Sequence, residues 1–267
     1  MIPAQTRYAR ASDLDHALEL LAEPDAKAIA GGQSLIPVMK LRIARPSLVV
    51  DISRLGLRGI EERDGELHIG PLTTWNELIG SEALSRPALA AITECAREIG
   101  DLQVRNLGTI GGSVAHADPA SDMPAVLLAL GARLELRAPA GKREVALADL
   151  LLGPFTTALG VQELVTDIIV PRPAEGSGSA YAAVEHPASG FALAGAAALA
   201  GPDGDRVALT GVGATPFVLP EGDLRETIAA ADVFGDQFAP AEYRRELAAV
   251  VAERALATAR ERAQEDR

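Results

Sequence analysis

Asp64-Gly65 divides this sequence into two kinds of chain. The pair lies between Gly59-Ile60-Glu61-Glu62-Arg63 and Glu66-Leu67-His68-Ile69-Gly70. An Asp-Gly connection between such segments is the strongest short signal for a β-hairpin, because both turn positions need positive φ. Before the pair the periodicity is that of an α/β unit. Ser12 is placed to N-cap a helix running to about Ala22, an apolar run follows from Ala26 to Ala30, and Gly31-Gly32 leads into a helix over Leu35 to Ile43 with Pro37 in its first turn. Ser47 to Ile52 is the next strand.

After the pair the pattern is antiparallel strands mixed with helices. Thr74-Trp75-Asn76-Glu77 is a capping box, and Pro87 to Ile99 is a helix with Ala88, Ala91, Ile92, Cys95 and Ile99 on one face. A long Gly-rich passage from Arg105 to Asp122 is read as a loop leading into an apolar helix, Met123 to Leu130. Strands follow over Ala132 to Arg137, through Val145, and over Leu164 to Val170. Pro171 to Gly178 is the best linker candidate and sets an expected boundary near residue 175. Beyond it, Ala180 to Glu185, Phe191 to Ala200 and Val207 to Gly213 form an expected three-stranded meander, and two helices follow, the last over about Pro240 to Arg262.

With 267 residues, 48% of them hydrophobic, the chain can bury a sizeable core. Its net charge of −12, with no evident basic patch, argues against nucleic acid or anionic lipid as partners. Aromatics make up 3%, which disfavours recognition by stacking platforms. The single cysteine, Cys95, can supply neither a disulfide framework nor the ligands of an iron–sulfur cluster. Met1 to Ala11 does not read as a secretory leader, and no stretch is long and apolar enough to span a membrane, so a cytoplasmic location is expected.

Two segments carry candidate chemistry. In Ala30-Gly31-Gly32-Gln33-Ser34-Leu35, consecutive glycines at a helix start let successive N–H groups point into one concavity, a cradle for an anion. An ordinary strand-to-helix turn reads equally from the same residues. Thr109-Ile110-Gly111-Gly112-Ser113 repeats the device, with Asp118 and Asp122 within ten residues of it. Paired cradles with nearby carboxylates suit a dinucleotide, its pyrophosphate on backbone and hydroxyls and a hydroxyl of its chain on an aspartate. Both aspartates read equally as caps of the following helix. No G-x-G-x-x-G and no Walker lysine is present. His16 and His68 read as solvated, His116 as a possible cofactor contact, and His186 carries no assignable role.

The strings from Ala30 to Ile52 and from Ile99 to Leu136, with Glu163 to Pro171, Tyr181 to Gly195 and Tyr243 to Leu256, resemble the flavin subunit of the molybdenum hydroxylases. This is the medium chain of the carbon monoxide dehydrogenase, xanthine dehydrogenase and aldehyde oxidase group. The resemblance implies an α+β fold: a two-lobed PCMH-type FAD-binding domain over 1–174, with lobes of about 1–55 and 56–174, then a C-terminal three-stranded antiparallel sheet with helices over 175–267. It implies noncovalent FAD on Ala30 to Leu35 and on Thr109, Ile110, Gly111, Gly112 and Ser113, with Asp118 and Asp122 nearby and Ile99, Leu164 and Val165 against the rings. It also implies a large molybdenum-binding subunit carrying the molybdopterin cofactor and a small subunit carrying the [2Fe-2S] clusters, as a dimer of heterotrimers. Electrons would pass from those clusters through FAD to an external acceptor.

Three departures stand out. Ala182 and Ala183 occupy positions where relatives carry a lysine, Gln33 stands where covalent flavoproteins carry a flavin-linked histidine, and the segment between Gly213 and Tyr243 is shorter than usual. A free-standing FAD-dependent oxidoreductase of the same fold and a flavin-free assembly scaffold are the alternative readings.

Overall fold

The computed structural model of the chain describes residues 2–265. In the first lobe β1 (Arg7–Arg10), α1 (Leu14–Leu21), β2 (Lys27–Ile29), α2 (Leu35–Lys40) and β3 (Leu48–Asp51) follow in turn. The strands are parallel in the order β1-β3-β2. Parallel strands need crossovers, which α1 and α2 supply. The central β3 is buried at every position, and its first three residues, Leu48, Val49 and Val50, are apolar, as a parallel strand covered on both faces requires. Nothing in the residues of β1 announces a strand; its pairing with β3 makes it one. The cap of α1 is Asp13 rather than Ser12, because the Asp13 carboxylate accepts the His16 N–H at 2.8 Å while the Ser12 hydroxyl turns to the His16 ring.

The second lobe holds β4 (Ile60–Arg63), β5 (Glu66–Ile69), α3 (Trp75–Ile79), α4 (Ala90–Glu98), α5 (Leu102–Leu107), α6 (Ile110–His116), α7 (Asp122–Ala129), β6 (Arg133–Ala138), β7 (Gly141–Ala146), α8 (Leu147–Leu150), β8 (Leu151–Gly153), β9 (Thr156–Thr157) and β10 (Leu164–Pro171). Five strands form an antiparallel sheet in the order β4-β5-β10-β6-β7. The expected hairpin joins β4 to β5, with Asp64 at φ 55° and Gly65 at φ 80°. His68 is not solvated as expected: it is 9% exposed, with Nδ1 2.7 Å from Asp167 Oδ2 across the β5–β10 pair.

The Gly-rich passage is not a loop. It folds into α5 and α6, with Gly111 and Gly112 inside α6. Thr109 caps α6 by accepting the Gly112 N–H, and Ile110 and Val114 anchor it in the core, which outweighs the weak helix propensity of two glycines.

The C-terminal part contains β11 (Gly178–Glu185), β12 (Ala192–Ala200), β13 (Arg206–Thr210), β14 (Phe217–Val218), α9 (Leu224–Ala230) and α10 (Ala241–Glu265). The three expected strands are joined at the edge by the two-residue β14, giving the order β11-β12-β13-β14. The segment after Gly213 carries β14 and α9. Along β12, Ala-Leu-Ala-Gly-Ala-Ala-Ala-Leu-Ala packs against the Ala248, Ala252, Ala255 and Ala259 stripe of α10. Of the three hydrophobic clusters, that of the second lobe also takes in Tyr181, Ala197 and Ala208. The connection near residue 175 is thus crossed by packing.

Candidate functional site

A cleft of about 490 Å³ opens where the first lobe meets the second, within the range of cofactor and ligand sites. One wall is the turn between β2 and α2. Gly32 holds it open at φ 72°, a conformation costly for any side chain with a Cβ. Gly31 lets it lie flush on the second lobe: a Cβ there would sit 1.7 Å from the Leu107 carbonyl oxygen. Among the described residues, the N–H groups of Gly31, Gly32, Gln33 and Ser34 donate to no acceptor of the chain. The Gln33 amide folds back on the Gly31 carbonyl at 3.2 Å. Four consecutive free donors beside a helix start make a built anion cradle.

The opposite wall is the start of α6, and it differs from the sequence expectation. The N–H of Ile110 donates to the Thr73 carbonyl, that of Gly111 to the Pro71 carbonyl, and that of Gly112 to the Thr109 hydroxyl. These donors are taken. Gly111 is required by packing, since a Cβ there would lie 2.3 Å from Pro71 Cβ. What this wall presents is a flat glycine surface and the Ser113 hydroxyl, which is 2.6 Å from the Ser121 hydroxyl. The second segment therefore contributes shape and hydroxyl chemistry rather than a second set of N–H groups.

Asp122 stands at the first position of α7, 9% exposed, and lines the cleft. It is not the cap, which is Ser121. One carboxylate oxygen accepts the hydroxyl of Tyr181 from β11. Burial raises the Asp122 carboxyl to about 7, with the charges of Glu185 and Glu98 adding to the rise and the Tyr181 bond opposing it. Burial likewise pushes up the Tyr181 hydroxyl and the Cys95 thiol. Asp118 lines the cleft too, its carboxylate accepting the Ala120 N–H at 2.9 Å.

The structure brings every expected contact residue to this one cleft except Ile110, which is fully buried beneath it. Ala30, Leu35, Ile99, Leu164 and Val165 supply apolar lining, and Thr109 lies beside them. His116 lines the cleft with its ring 5.2 Å from that of Phe155. Sequence reasoning missed Trp75, Phe155 and Phe191 as lining residues, because a scarcity of aromatics over the whole chain says nothing about where the few are placed. It also missed a local charge reversal: between Asp25 and Asp51 stand Lys27, Lys40, Arg42 and Arg45 with no acid, flanking the cradle on a chain of net charge −12.

Residues 4–173 match the family model described as the FAD binding domain in molybdopterin dehydrogenase. The chain is 38% identical over 287 residues to the carbon monoxide dehydrogenase medium chain of Afipia carboxidovorans, covering 98% of this chain and 99% of that one. It is 36% identical to the 6-hydroxypseudooxynicotine dehydrogenase complex subunit alpha of Paenarthrobacter nicotinovorans, over 98% of this chain and 97% of that one. Among solved structures, a chain of the reconstituted CO dehydrogenase from Oligotropha carboxidovorans superposes with a TM-score of 0.91 at 37% identity, covering 98% of this chain and all of that one.

Proposed function

The chain belongs to the family of FAD-binding domains of molybdopterin dehydrogenases, and we propose that it holds one FAD, without a covalent bond, in the cleft between its first two lobes. As the medium subunit of a molybdenum hydroxylase it takes electrons from a [2Fe-2S] partner chain and gives them to an external acceptor. The observation that carries this reading is the pairing, in one cleft, of a cradle of four free N–H groups with a buried carboxyl. The residues fit the cofactor's two polar parts. Gly31, Gly32, Gln33 and Ser34 would hold the pyrophosphate, and the Asp122 oxygen left free by Tyr181 would accept a hydroxyl of the connecting chain. Ile99, Leu164 and Val165 would exclude water from the ring. Bound FAD supplies a two-electron store that single-electron clusters can fill. The chain's own part is to bind it, orient it and keep its surroundings dry.

The iron–sulfur ligands have to come from elsewhere. The one cysteine is fully buried and its thiol is pushed well up by burial, the opposite of what a metal-binding thiolate requires. In this reading, which rests on the family membership, the partners are a small [2Fe-2S] subunit and a large subunit with the molybdopterin cofactor, arranged as a dimer of heterotrimers. The relatives' names show that substrates within the family differ widely, as expected if the substrate pocket lies on another chain.

Purification of the chain decides the central point. A yellow protein that releases all its flavin as FAD on acid precipitation is the expected result. A colourless chain that takes up no added FAD would refute the reading, and flavin retained in the pellet would refute its noncovalent form. Molybdenum and iron co-purifying with the native assembly check the partners.

A further inference from the structure

The hydrogen bond between Tyr181 and Asp122 depends on where β11 sits, and β11 is the edge strand of its sheet. An edge strand presents backbone groups with no strand to receive them. Here side chains from two distant helices receive them. The Tyr181 N–H donates to Glu94 Oε2 of α4 at 3.0 Å. The Ser179 carbonyl accepts from Arg262 Nη1 of α10 at 2.6 Å, and the Ala91 N–H at the start of α4 donates to the Ser179 hydroxyl at 3.0 Å. Arg262 and Glu94 then pair directly with each other across 168 positions of sequence. One guanidinium fork therefore grips the strand and the helix that flanks it, a planar two-acceptor geometry that an ammonium cannot reproduce.

We propose that Arg262 is a positioning residue for the cleft: through Glu94 it fixes the register of β11 on α4, and so holds the Tyr181 hydroxyl on Asp122. Without the fork, the Glu94 carboxylate would lose the partner that fixes it, α4 and β11 would keep only the Tyr181–Glu94 and Ala91–Ser179 hydrogen bonds between them, and the Tyr181 hydroxyl would be held less firmly against α7. The consequence reaches the cleft because Tyr181 occupies one oxygen of Asp122 and leaves the other for a ligand. The groups that share this environment are Glu94, Cys95 and Glu98 from α4, Tyr181 and Glu185 from β11, and His116 and Asp118 from the cleft wall. Glu94 is tied up by Arg262 and by the Tyr181 N–H. Burial, with the neighbouring Glu98 adding to it, holds the Glu185 carboxyl above its ordinary range. The Tyr181 bond is thus the interaction that favours the Asp122 anion most directly.

The test reads Asp122 first and flavin second, since the inference rests on the flavin reading only for its second readout. The carboxyl of Asp122 is titrated by infrared difference spectroscopy in the flavin-free full-length chain, its band assigned with Asp122→Asn. Tyr181→Phe sets the upward displacement expected when the hydroxyl is lost. Arg262→Gln and Glu94→Gln should move the midpoint up in the same direction by about half to one pH unit, Arg262→Lys should fall between them and the native chain, and Arg262→Gln added to Tyr181→Phe should move it no further. Arg225→Gln, which breaks the exposed pair between Arg225 of α9 and Glu253 of α10, should leave it in place. In the flavin-loaded chain the same variants should raise the FAD dissociation constant at pH 7 by about two- to fivefold. If Arg262→Gln proves too unstable to measure, Arg262→Lys and Glu94→Gln carry the test. A midpoint unchanged or lowered in these variants, with only the melting temperature reduced, would overturn the proposal and leave Arg262 as a structural pin. A midpoint that moves as stated in a chain that binds no FAD would uphold the positioning and refute the flavin reading instead.

Discussion

At the scale of single residues, the glycines of the two motifs separate by what they touch. Gly31 is pressed against the Leu107 carbonyl, whereas a Cβ on Gly112 would meet only the Thr109 hydroxyl, 2.8 Å away. Gly31→Ala should therefore cost several kcal/mol, since backbone must move to admit the methyl, and be seen as a large fall in melting temperature. Gly112→Ala should keep the fold and weaken flavin binding, seen by fluorescence titration. Asp122 makes the second prediction. Its carboxyl sits at about 7 where the ordinary value is 3.8, worth about 4 kcal/mol, because burial disfavours the anion. A ligand hydroxyl donating to the carboxylate favours the anion, so FAD affinity should fall about tenfold per pH unit below pH 7 and be flat above it. The flavin-free chain should behave oppositely. The proton is bound more tightly in the folded state, so the stabilisation is full below about pH 4 and is lost as pH rises through 7. Asp122→Asn should abolish both dependences and raise the melting temperature of the flavin-free chain at pH 8 while lowering FAD affinity. An affinity that does not change between pH 5 and 8 would refute the hydroxyl contact.

At the scale of elements, strand alternation settles what the two alanines after Tyr181 can do. Along β11, Ala183 packs with Tyr181 toward the second lobe, while Ala182 packs with the cluster under α10. A lysine at 182 would drive an ammonium into the helix–sheet interface, and Ala182→Lys should destabilise by about 2–4 kcal/mol in denaturant titration. Ala183→Lys should be tolerated, lower the Asp122 midpoint and raise the flavin midpoint potential, since it adds a cation beside Asp122, Glu98 and Glu185. An unchanged potential in a folded Ala183→Lys chain would mean that the strand face does not sense the flavin. Elements with strong local signals were legible in sequence: the Asp64-Gly65 hairpin, the Thr74 capping box and the apolar α7 all stand where the pattern puts them. β1 was not legible because its pairing partner is about forty residues away. The residues of the second glycine segment were found but their state was not, because the carbonyls of Pro71 and Thr73 that absorb its N–H groups lie on another stretch of chain. The pairing of Tyr181 with Asp122, 59 positions apart, leaves no local trace at all.

At the scale of the whole molecule, the clusters show how the expected boundary near 175 behaves. The chain crosses there between β10 and β11, yet Tyr181, Ala197 and Ala208 belong to the second lobe's hydrophobic cluster, and α4 and α10 hold β11 from both sides. Cleavage after the exposed Glu175 by a glutamyl endopeptidase should therefore leave the two pieces together on size exclusion in native buffer, parting only in denaturant; pieces that separate in native buffer would mean that the packing across the connection is weak. The interlock of β11 also has a consequence in time. Ribosomes make Glu94, Tyr181 and Asp122 long before Arg262. While α10 is still in the exit tunnel, β11 hangs as a bare edge beside a sheet face of small apolar side chains, a surface open to strands of neighbouring nascent chains. Assembly of the cleft thus waits on a residue made after all the others it organises, and a pause in translation before α10 would be the moment of greatest exposure for this protein.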